Sequence, residues 1–158
     1  MRAREFAKKA HGKQKYGKKP YIVHLDAVAK IVQKYGNTAM IVAYLHDILE
    51  DTKTSKTAIE QQFGLFVSDC VEIITDEKGR NRKERKAKTY QKIKNASAAY
   101  NIAVIVKVAD RLANVSACHD TNGSLLRMYR IEHSDFRKFV LIDGLCDDLW
   151  QQIALIIA

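Results

Sequence analysis

AMIVAYLHDIL, residues 39–49, is apolar on nearly every side, which is typical of a central buried helix. His46 and Asp47 place two ionisable groups inside it, and Glu50 and Asp51 follow at once. If the helix is continuous, helical spacing brings this imidazole and these carboxylates into one sector. Burying unpaired carboxylates costs several kcal/mol, and a bound cation is the simplest compensation. The stretch therefore predicts a metal site.

KVADRLAN, residues 107–114, places charge in a second apolar helix, since the hydrophobic residues between 102 and 115 cover most of its circumference. Asp110 and Asn114 share a face of this helix, and Lys107 joins them. Two interpretations remain open for Asp110. It is either a second contribution to the metal site or one half of a structural ion pair with Lys107.

Four residues form the predicted ligand set: His24, His46, Asp47 and Asp110. Two imidazoles and two carboxylates without a thiolate suit Mn²⁺, Fe²⁺ or Zn²⁺, and the residue types do not choose among these ions. A metal that activates water also needs a neighbouring group that handles protons. This pattern favours a metal-dependent hydrolase.

Several further residues are predicted around this set. Glu50 and Asp51 are the candidates for orienting a water molecule or shuttling its proton, and Asn114 is a candidate for holding Asp110 or a substrate oxygen. The remaining histidines have no comparable setting, and we expect them to be structural or exposed: His11, His119 and His133.

Length and composition indicate one globular domain over residues 1–158. Hydrophobic residues make up 47% and charged residues 28% of the chain, the usual balance of such a domain. The N-terminus lacks an apolar signal core, and no stretch approaches the 18 or so apolar residues that a membrane-spanning helix needs. We therefore expect a cytoplasmic protein without a membrane partner.

The chain is basic, with 27 Lys and Arg against 18 Asp and Glu and a formal charge of +9. The excess lies at residues 8–19 and 78–94, and such a field attracts anions. Small phosphate-bearing molecules, nucleic acid and a merely solvated surface are the alternatives for the second run.

The fold class predicted from these patterns is all-α, because the β-branched residues follow helical spacing and no convincing sheet is found. Gly17 to Pro20 is predicted as a loop, and 76–83 as a mobile connection that could cover a pocket. Cys70, Cys118 and Cys146 show no metal-binding spacing, and we expect buried free thiols. Helices are predicted over 2–11, 23–35, 37–51, 55–63, 65–76, 81–94, 97–118, 124–140 and 144–157.

The order His24, then His46-Asp47, then Asp110 resembles the HD superfamily of metal-dependent phosphohydrolases. Within it, four stretches are similar to the hydrolase domain of RelA/SpoT homologues: YIVH (21–24), HDILEDT (46–52), FG (63–64) and KVADRLAN (107–114). The similarity extends from residue 10 to about 140. Because no synthetase region accompanies it, the chain is expected to be a stand-alone small alarmone hydrolase.

This resemblance implies a single-domain HD-type bundle of nine or ten helices that holds one Mn²⁺ through the four predicted ligands. It implies that Glu50 and Asp51 act in water activation and proton transfer and that Asn114 contacts the substrate. The implied reaction removes the 3′-pyrophosphate of (p)ppGpp to give GDP or GTP and pyrophosphate. Lys107, with Lys15 and Lys18 of the first loop, is expected to neutralise phosphate charge.

The first loop departs from the family pattern. The family usually carries an Arg-Lys pair there, whereas this chain has QKYGKK at 14–19, in which Lys15 stands for the Arg and Tyr16 for the Lys. Arg stacks on a base and forks onto phosphate in ways that Lys does not. The loop therefore predicts altered base recognition with unchanged metal chemistry. Tyr16 is predicted either to stack on the base or to pack on its own scaffold.

Three alternatives to a (p)ppGpp hydrolase remain. One is an HD phosphohydrolase for another nucleotide, such as an adenosine alarmone, a nucleoside monophosphate or a deoxynucleotide. Another is a nucleic-acid module that uses residues 78–94, which is not expected because it leaves the buried carboxylates unexplained and no DNA-binding motif is present. The last is a structural protein whose acids are simply paired. The oligomeric state is not predicted.

Overall fold

The computed structural model describes all residues, 1–158, and contains ten α-helices and one two-stranded β-ribbon. The helices are α1 (Arg2–His11), α2 (Ile22–Val32), α3 (Asn37–Leu45), α4 (Ile48–Asp51), α5 (Lys56–Phe63), α6 (Leu65–Ile74), α7 (Arg82–Asn95), α8 (Asn101–Cys118), α9 (Gly123–Val140) and α10 (Asp147–Ile157). The strands are β1 (Lys15–Tyr16) and β2 (Lys19–Pro20), and 3₁₀ turns cover Gln33–Tyr35 and Ala98–Tyr100. The predicted all-α class and helix number are confirmed.

Polar side chains fix where several helices begin. Ser55 caps α5, as its hydroxyl oxygen accepts a hydrogen bond from the backbone N–H of Ala58 at 3.1 Å. Asn81 and Asn122 cap α7 and α9 in the same way. Gly64 ends α5 with a φ of +91°, in the backbone region that favours glycine. These local signals explain why the predicted boundaries of these helices hold to within a few residues.

The core is organised around α8, of whose 18 residues 13 are buried. This helix packs against α2, α3, α6, α9 and α10, and the buried hydrophobic side chains of the molecule form one cluster of 37 residues. The prediction of a second buried helix is therefore confirmed, although the α-helix begins four residues later than predicted, after a 3₁₀ turn. None of the helices combines the length and the apolar composition that crossing a membrane requires.

The predicted continuous helix over 37–51 is wrong at its centre. The chain leaves helical geometry at Asp47, where φ is −101° and ψ is 0°, so α3 and α4 are separate helices. The one-sector spacing assumed for His46 and Glu50 therefore does not apply. Adjacent residues do not face each other in a regular helix, but the break brings His46 Nε2 to 3.0 Å from Asp47 Oδ2.

The expectation of no sheet is wrong in one place, because the predicted loop at 17–20 is part of a tight hairpin. Strands β1 and β2 pair antiparallel, with Tyr16 opposite Lys19. Gly17 makes the turn possible with a φ of +60°. Strands of two residues are too short to produce the alternation by which a sheet is recognised in sequence. The hairpin matters because it carries Tyr16.

The polar segment 76–83 is anchored at its first residues. The backbone N–H of Asp76 donates to Glu50 Oε1 at 2.6 Å, and that of Glu77 donates to Thr89 Oγ1 at 2.9 Å. These two bonds join the segment to α4 and α7. Its mobility stays a prediction.

The three cysteines are buried free thiols, as predicted. Cys70 lies in α6, Cys118 is the last residue of α8, and Cys146 immediately precedes α10. They therefore lie in three different parts of the helical bundle.

Candidate metal centre and cavity

The four predicted ligands converge, although they come from distant positions in the chain. His24 lies in α2, His46 and Asp47 lie between α3 and α4, and Asp110 lies in α8. Donor atoms of the first three all lie within 4.8 Å of one another. Asp110 Oδ1 lies 3.0 Å from His24 Nε2 and 3.3 Å from His46 Nε2. The fold thus brings all four side chains together, with Asp110 beside the group that the other three form.

The hydrogen bonding of His46 suits a metal ligand. Its Nδ1 lies 2.6 Å from the carbonyl oxygen of Ala43, which only accepts, so Nδ1 carries a proton. Its Nε2 is buried without a hydrogen-bond partner although it faces the carboxylates of Asp47 and Asp110. On a neutral imidazole, Nε2 would direct its lone pair at two anions, which is unfavourable in a buried site. Either a proton on Nε2 or a cation between the three groups removes the conflict. The residues present therefore fit a divalent ion.

The close approach of these charged groups also shifts their pKa values. Burial alone would lower the pKa of His46, but the charges of Asp47 and Asp110 outweigh it and raise that pKa well above its usual value. Burial opposes ionisation of Asp47 too, yet the His46 charge lowers the pKa of that carboxyl to about 2. In the same way His46 and His24 hold the pKa of Asp110 well below its usual range against the effect of burial. Both carboxylates are thus ionised at neutral pH.

Asp110 uses its two oxygens differently, which accommodates both interpretations of this residue. Oδ2 lies 3.6 Å from Nζ of Lys107, so the ion pair predicted as the structural alternative is present. Oδ1 faces the two imidazoles and accepts a hydrogen bond from Asn114 Nδ2 at 3.0 Å. The ion pair therefore does not exclude a role for Asp110 as a ligand.

A cavity of about 240 Å³ opens beside these four residues. The residues that line it are polar with two exceptions, both tyrosines: Tyr21, His24, Asp47, Glu50, Asp51, Asp76, Arg82, Lys86, Lys107, Asp110, Arg111, Asn114 and Tyr129. Carboxylates and basic side chains thus border the same space. Such a wall suits an anionic ligand that binds next to a cation.

Four basic side chains belong to this wall. Lys107 is buried, and although burial alone would lower its pKa, the charges of Asp110 and other carboxylates raise it, so it stays charged. Lys86 Nζ lies 2.7 Å from Asp76 Oδ2, and Arg82 and Arg111 both pair with Glu132. Because these groups are held by acidic partners, their positions do not depend on a ligand.

Glu50 and Asp51 also line the cavity, as their predicted role requires. Burial, assisted by the charge of Asp47, raises the pKa of Glu50 to about 7. A carboxyl group with that pKa takes up and releases a proton readily near neutral pH. Asp51 Oδ2 accepts a hydrogen bond from Gln14 Nε2 at 2.9 Å. Glu50 is therefore the better candidate for proton transfer.

Only some of the residues predicted to bind the substrate line the cavity. Lys107 and Asn114 line the cavity, whereas Lys15 and Lys18 are exposed on the hairpin and do not contribute to its wall. Tyr16 is half-buried, stacks on His24 with ring centroids 4.6 Å apart, and donates to Asn114 Oδ1 at 2.7 Å. Tyr16 therefore packs on its own scaffold, and its stacking on a base stays a prediction.

Sequence reasoning missed part of the cavity wall. Tyr21 donates its hydroxyl to Asp47 Oδ2, and its place three residues before His24 was a usable signal. Arg111 also carried a signal, as it is a second charge beside Asp110 in an apolar helix. Lys86 carried no signal in the sequence, since it is one of many basic residues in α7. Only tertiary contacts distinguish it from its neighbours.

A larger groove of about 560 Å³ lies between α7 and α9. It shares Arg82 and Lys86 with the cavity, but most of its exposed lining is apolar and it contains none of the predicted ligands. The ionisable groups suited to chemistry therefore face the smaller cavity.

Two enzymes with known activities are similar to most of this chain. A guanosine-3′,5′-bis(diphosphate) 3′-pyrophosphohydrolase of Aquifex aeolicus is 39% identical over 118 residues, which are 73% of this chain and 17% of that protein. The Xenopus tropicalis enzyme of the same name, MESH1, is 37% identical over 122 residues, 73% of this chain and 66% of that protein. The chain thus spans less than two thirds of either relative.

A solved structure has the same fold. It is that of a metazoan orthologue of SpoT that hydrolyses ppGpp, and it superposes with a TM-score of 0.83 at 23% identity, covering 99% of this chain and 92% of the other. The sequence also matches the HD domain over residues 3–133, a span that includes all four converging residues. The chain therefore belongs to the HD domain family.

Proposed function

We propose that this protein is a metal-dependent hydrolase that removes the 3′-pyrophosphate of (p)ppGpp, giving GDP or GTP and pyrophosphate. The observation that carries the proposal is the convergence of two imidazoles and two carboxylates at a cavity that four basic side chains also line. The activity named for the Aquifex and Xenopus relatives supports this choice of substrate.

His24, His46, Asp47 and Asp110 would hold one divalent ion, with Mn²⁺ as the proposed metal. When bound, such an ion lowers the pKa of a water molecule and draws electron density from a phosphoryl oxygen. Oxygen and imidazole ligands without sulfur suit Mn²⁺. The choice of Mn²⁺ among the ions that they suit follows the resemblance to the RelA/SpoT hydrolase domain.

The remaining cavity residues provide proton transfer and charge neutralisation. Glu50 takes the proton of the attacking water, whose oxygen forms a bond to phosphorus while the bond to the ribose 3′ oxygen breaks. Glu50 then gives this proton to the ribose oxygen, which leaves as the 3′-hydroxyl. Lys107 is proposed to hold the pyrophosphate, and Arg82, Lys86 and Arg111 extend the same wall.

The test is release of pyrophosphate from ppGpp by purified protein with added Mn²⁺. We expect Asp47→Ala and Asp110→Ala each to abolish release, because each removes a ligand and leaves the other charges of the site unbalanced. Asp143→Ala, which changes an exposed carboxylate outside the cavity, is the control and should retain activity. Full activity in both ligand variants would refute the proposal.

A second candidate is a hydrolase of the same metal chemistry that acts on another nucleotide. The hairpin favours it, since Tyr16 is engaged within the protein while Lys15 and Lys18 stay outside the cavity wall. None of the three therefore offers this cavity a contact that selects guanine. A panel of guanosine and adenosine alarmones, nucleoside monophosphates and deoxynucleotides, scored separately for released pyrophosphate and phosphate, decides between the two.

A further inference from the structure

We propose that Tyr16 is a positioning residue of the metal centre, which fixes His24 by stacking and Asp110 through Asn114. The inference rests on the proposed metal site. It concerns a position at which this chain departs from the basic residue expected in the family, and it assigns the hairpin to the metal centre instead of the nucleotide base.

His24 needs such support because its imidazole lacks the usual restraint. A metal-binding imidazole normally donates its second N–H to an oxygen that sets the orientation of the ring, and His46 does so through Ala43. The corresponding Nδ1 of His24 is buried without a hydrogen-bond partner. Instead, the ring of Tyr16 lies against His24 with an interplanar angle of 14°. Stacking therefore restrains the imidazole where a hydrogen bond is missing.

The second link runs through Asn114, and its direction is fixed by chemistry. An ionised Asp110 only accepts hydrogen bonds, so Asn114 must turn its Nδ2 toward Asp110 Oδ1, at 3.0 Å. The amide oxygen of Asn114 then faces Tyr16, whose hydroxyl donates to it at 2.7 Å. Asp110 Oδ1 is the same oxygen that faces His24 and His46. Tyr16 thus acts on the donor atom itself through one intervening side chain.

The backbone of the hairpin holds Tyr16 in this place. Pairing of β1 with β2 sets Tyr16 opposite Lys19, and the backbone N–H of Tyr21 donates to the carbonyl of Gln14 at 3.1 Å just beyond the strands. One face of the Tyr16 ring thus lies against His24, and its hydroxyl is bound to Asn114.

The experiment compares Mn²⁺ affinity by calorimetry, in the absence of nucleotide, for the wild type, Tyr16→Phe and Tyr16→Leu. Tyr16→Phe keeps the stacked ring and loses the hydroxyl, while Tyr16→Leu loses both. We expect the dissociation constant to rise about 10-fold for Tyr16→Phe and up to about 100-fold for Tyr16→Leu. Tyr100→Phe is the matched control, as it loses a hydroxyl bond to Asp69 away from the cavity, and it should bind Mn²⁺ like the wild type.

The outcomes separate this inference from the proposed function. If the wild type binds no Mn²⁺, the metal site itself fails. If the wild type binds and both Tyr16 variants bind equally well, the positioning role is overturned. If the Tyr16 variants keep the Mn²⁺ affinity of the wild type but show a higher KM for guanosine substrates and an unchanged KM for adenosine substrates, Tyr16 is a base contact instead. Tyr16→Phe changes no packing, so it remains informative if Tyr16→Leu fails to fold.

Discussion

Two residues three positions apart carry different charge states for reasons that the structure makes explicit. Asp47 is ionised because His46 outweighs the cost of its burial, whereas burial and the charge of Asp47 raise the pKa of Glu50 to about 7. A ligand requires permanent charge, and a group that transfers protons requires the ability to change it. The two carboxylates are therefore suited to different tasks.

The raised pKa of Glu50 makes a prediction about stability without metal. Its folded pKa of about 7 exceeds the usual 4.5, so ionised Glu50 destabilises the fold, and this cost grows as the pH rises from 4.5 through 7. Glu50→Gln should therefore raise the melting temperature relative to the wild type at pH 8 more than at pH 5.

Differential scanning calorimetry of chelator-treated protein at both pH values measures this effect. Glu60→Gln, at an exposed position in α5, is the control for the loss of one acidic charge. If the melting temperatures of Glu50→Gln and the wild type differ by the same amount at pH 5 and pH 8, the raised pKa of Glu50 is contradicted.

At the scale of elements, one carboxylate joins three helices. Glu132 of α9 binds Arg82 of α7 and lies 3.2 Å from Arg111 of α8. Arg111 also donates to Tyr90 at 2.8 Å and lies 4.2 Å from the ring centroid of Phe136. The basic wall of the cavity is therefore built into the packing of these helices.

Removing the charge of Glu132 should loosen this junction. Glu132→Gln leaves two guanidinium groups without a counter-charge, one of them buried, and should lower the free energy of unfolding by about 3 kcal/mol. Urea unfolding followed by circular dichroism measures the change. Glu5→Gln, which breaks the exposed Arg4–Glu5 pair, should cost less than about 1 kcal/mol. Similar losses in both variants would show that the junction adds nothing beyond a surface pair.

Helices and hairpin differ in how well sequence predicts them. Long elements such as α8 and α9 repeat their apolar period over several turns, so their existence is evident from pattern alone. The break between α3 and α4 is not evident, because an apolar run without Gly or Pro gives no sign that the hydrogen-bond ladder is interrupted there. The two candidate ligands in the break were still predicted, since charge in an apolar stretch stands out whatever the backbone does.

For the whole molecule, the proposed ion would connect parts of the chain that lie far apart. Its ligands extend from His24 to Asp110 and come from α2, the α3–α4 junction and α8. The unfolded chain does not hold these groups together, so binding adds to folding stability. The cavity wall was predicted only in part, because contacts such as those of Arg82 and Arg111 with Glu132 arise only when α7, α8 and α9 pack together.

Mn²⁺ should therefore raise the melting temperature. At a free concentration 100 times the dissociation constant, the gain is about 2.7 kcal/mol, which is about 5–10 °C for a chain of this size. A chelator should reverse the shift, and Asp110→Ala should lose most of it. Identical melting curves with Mn²⁺ and with chelator would indicate that the acids of the site are simply paired with bases.

The three buried thiols can report local unfolding of the helices around them. Cys70, Cys118 and Cys146 are unreactive while covered, so a thiol reagent modifies each one only as fast as its surroundings open. Their separate locations in α6, α8 and before α10 mean that the order of modification gives the order in which the bundle loosens, without any added label.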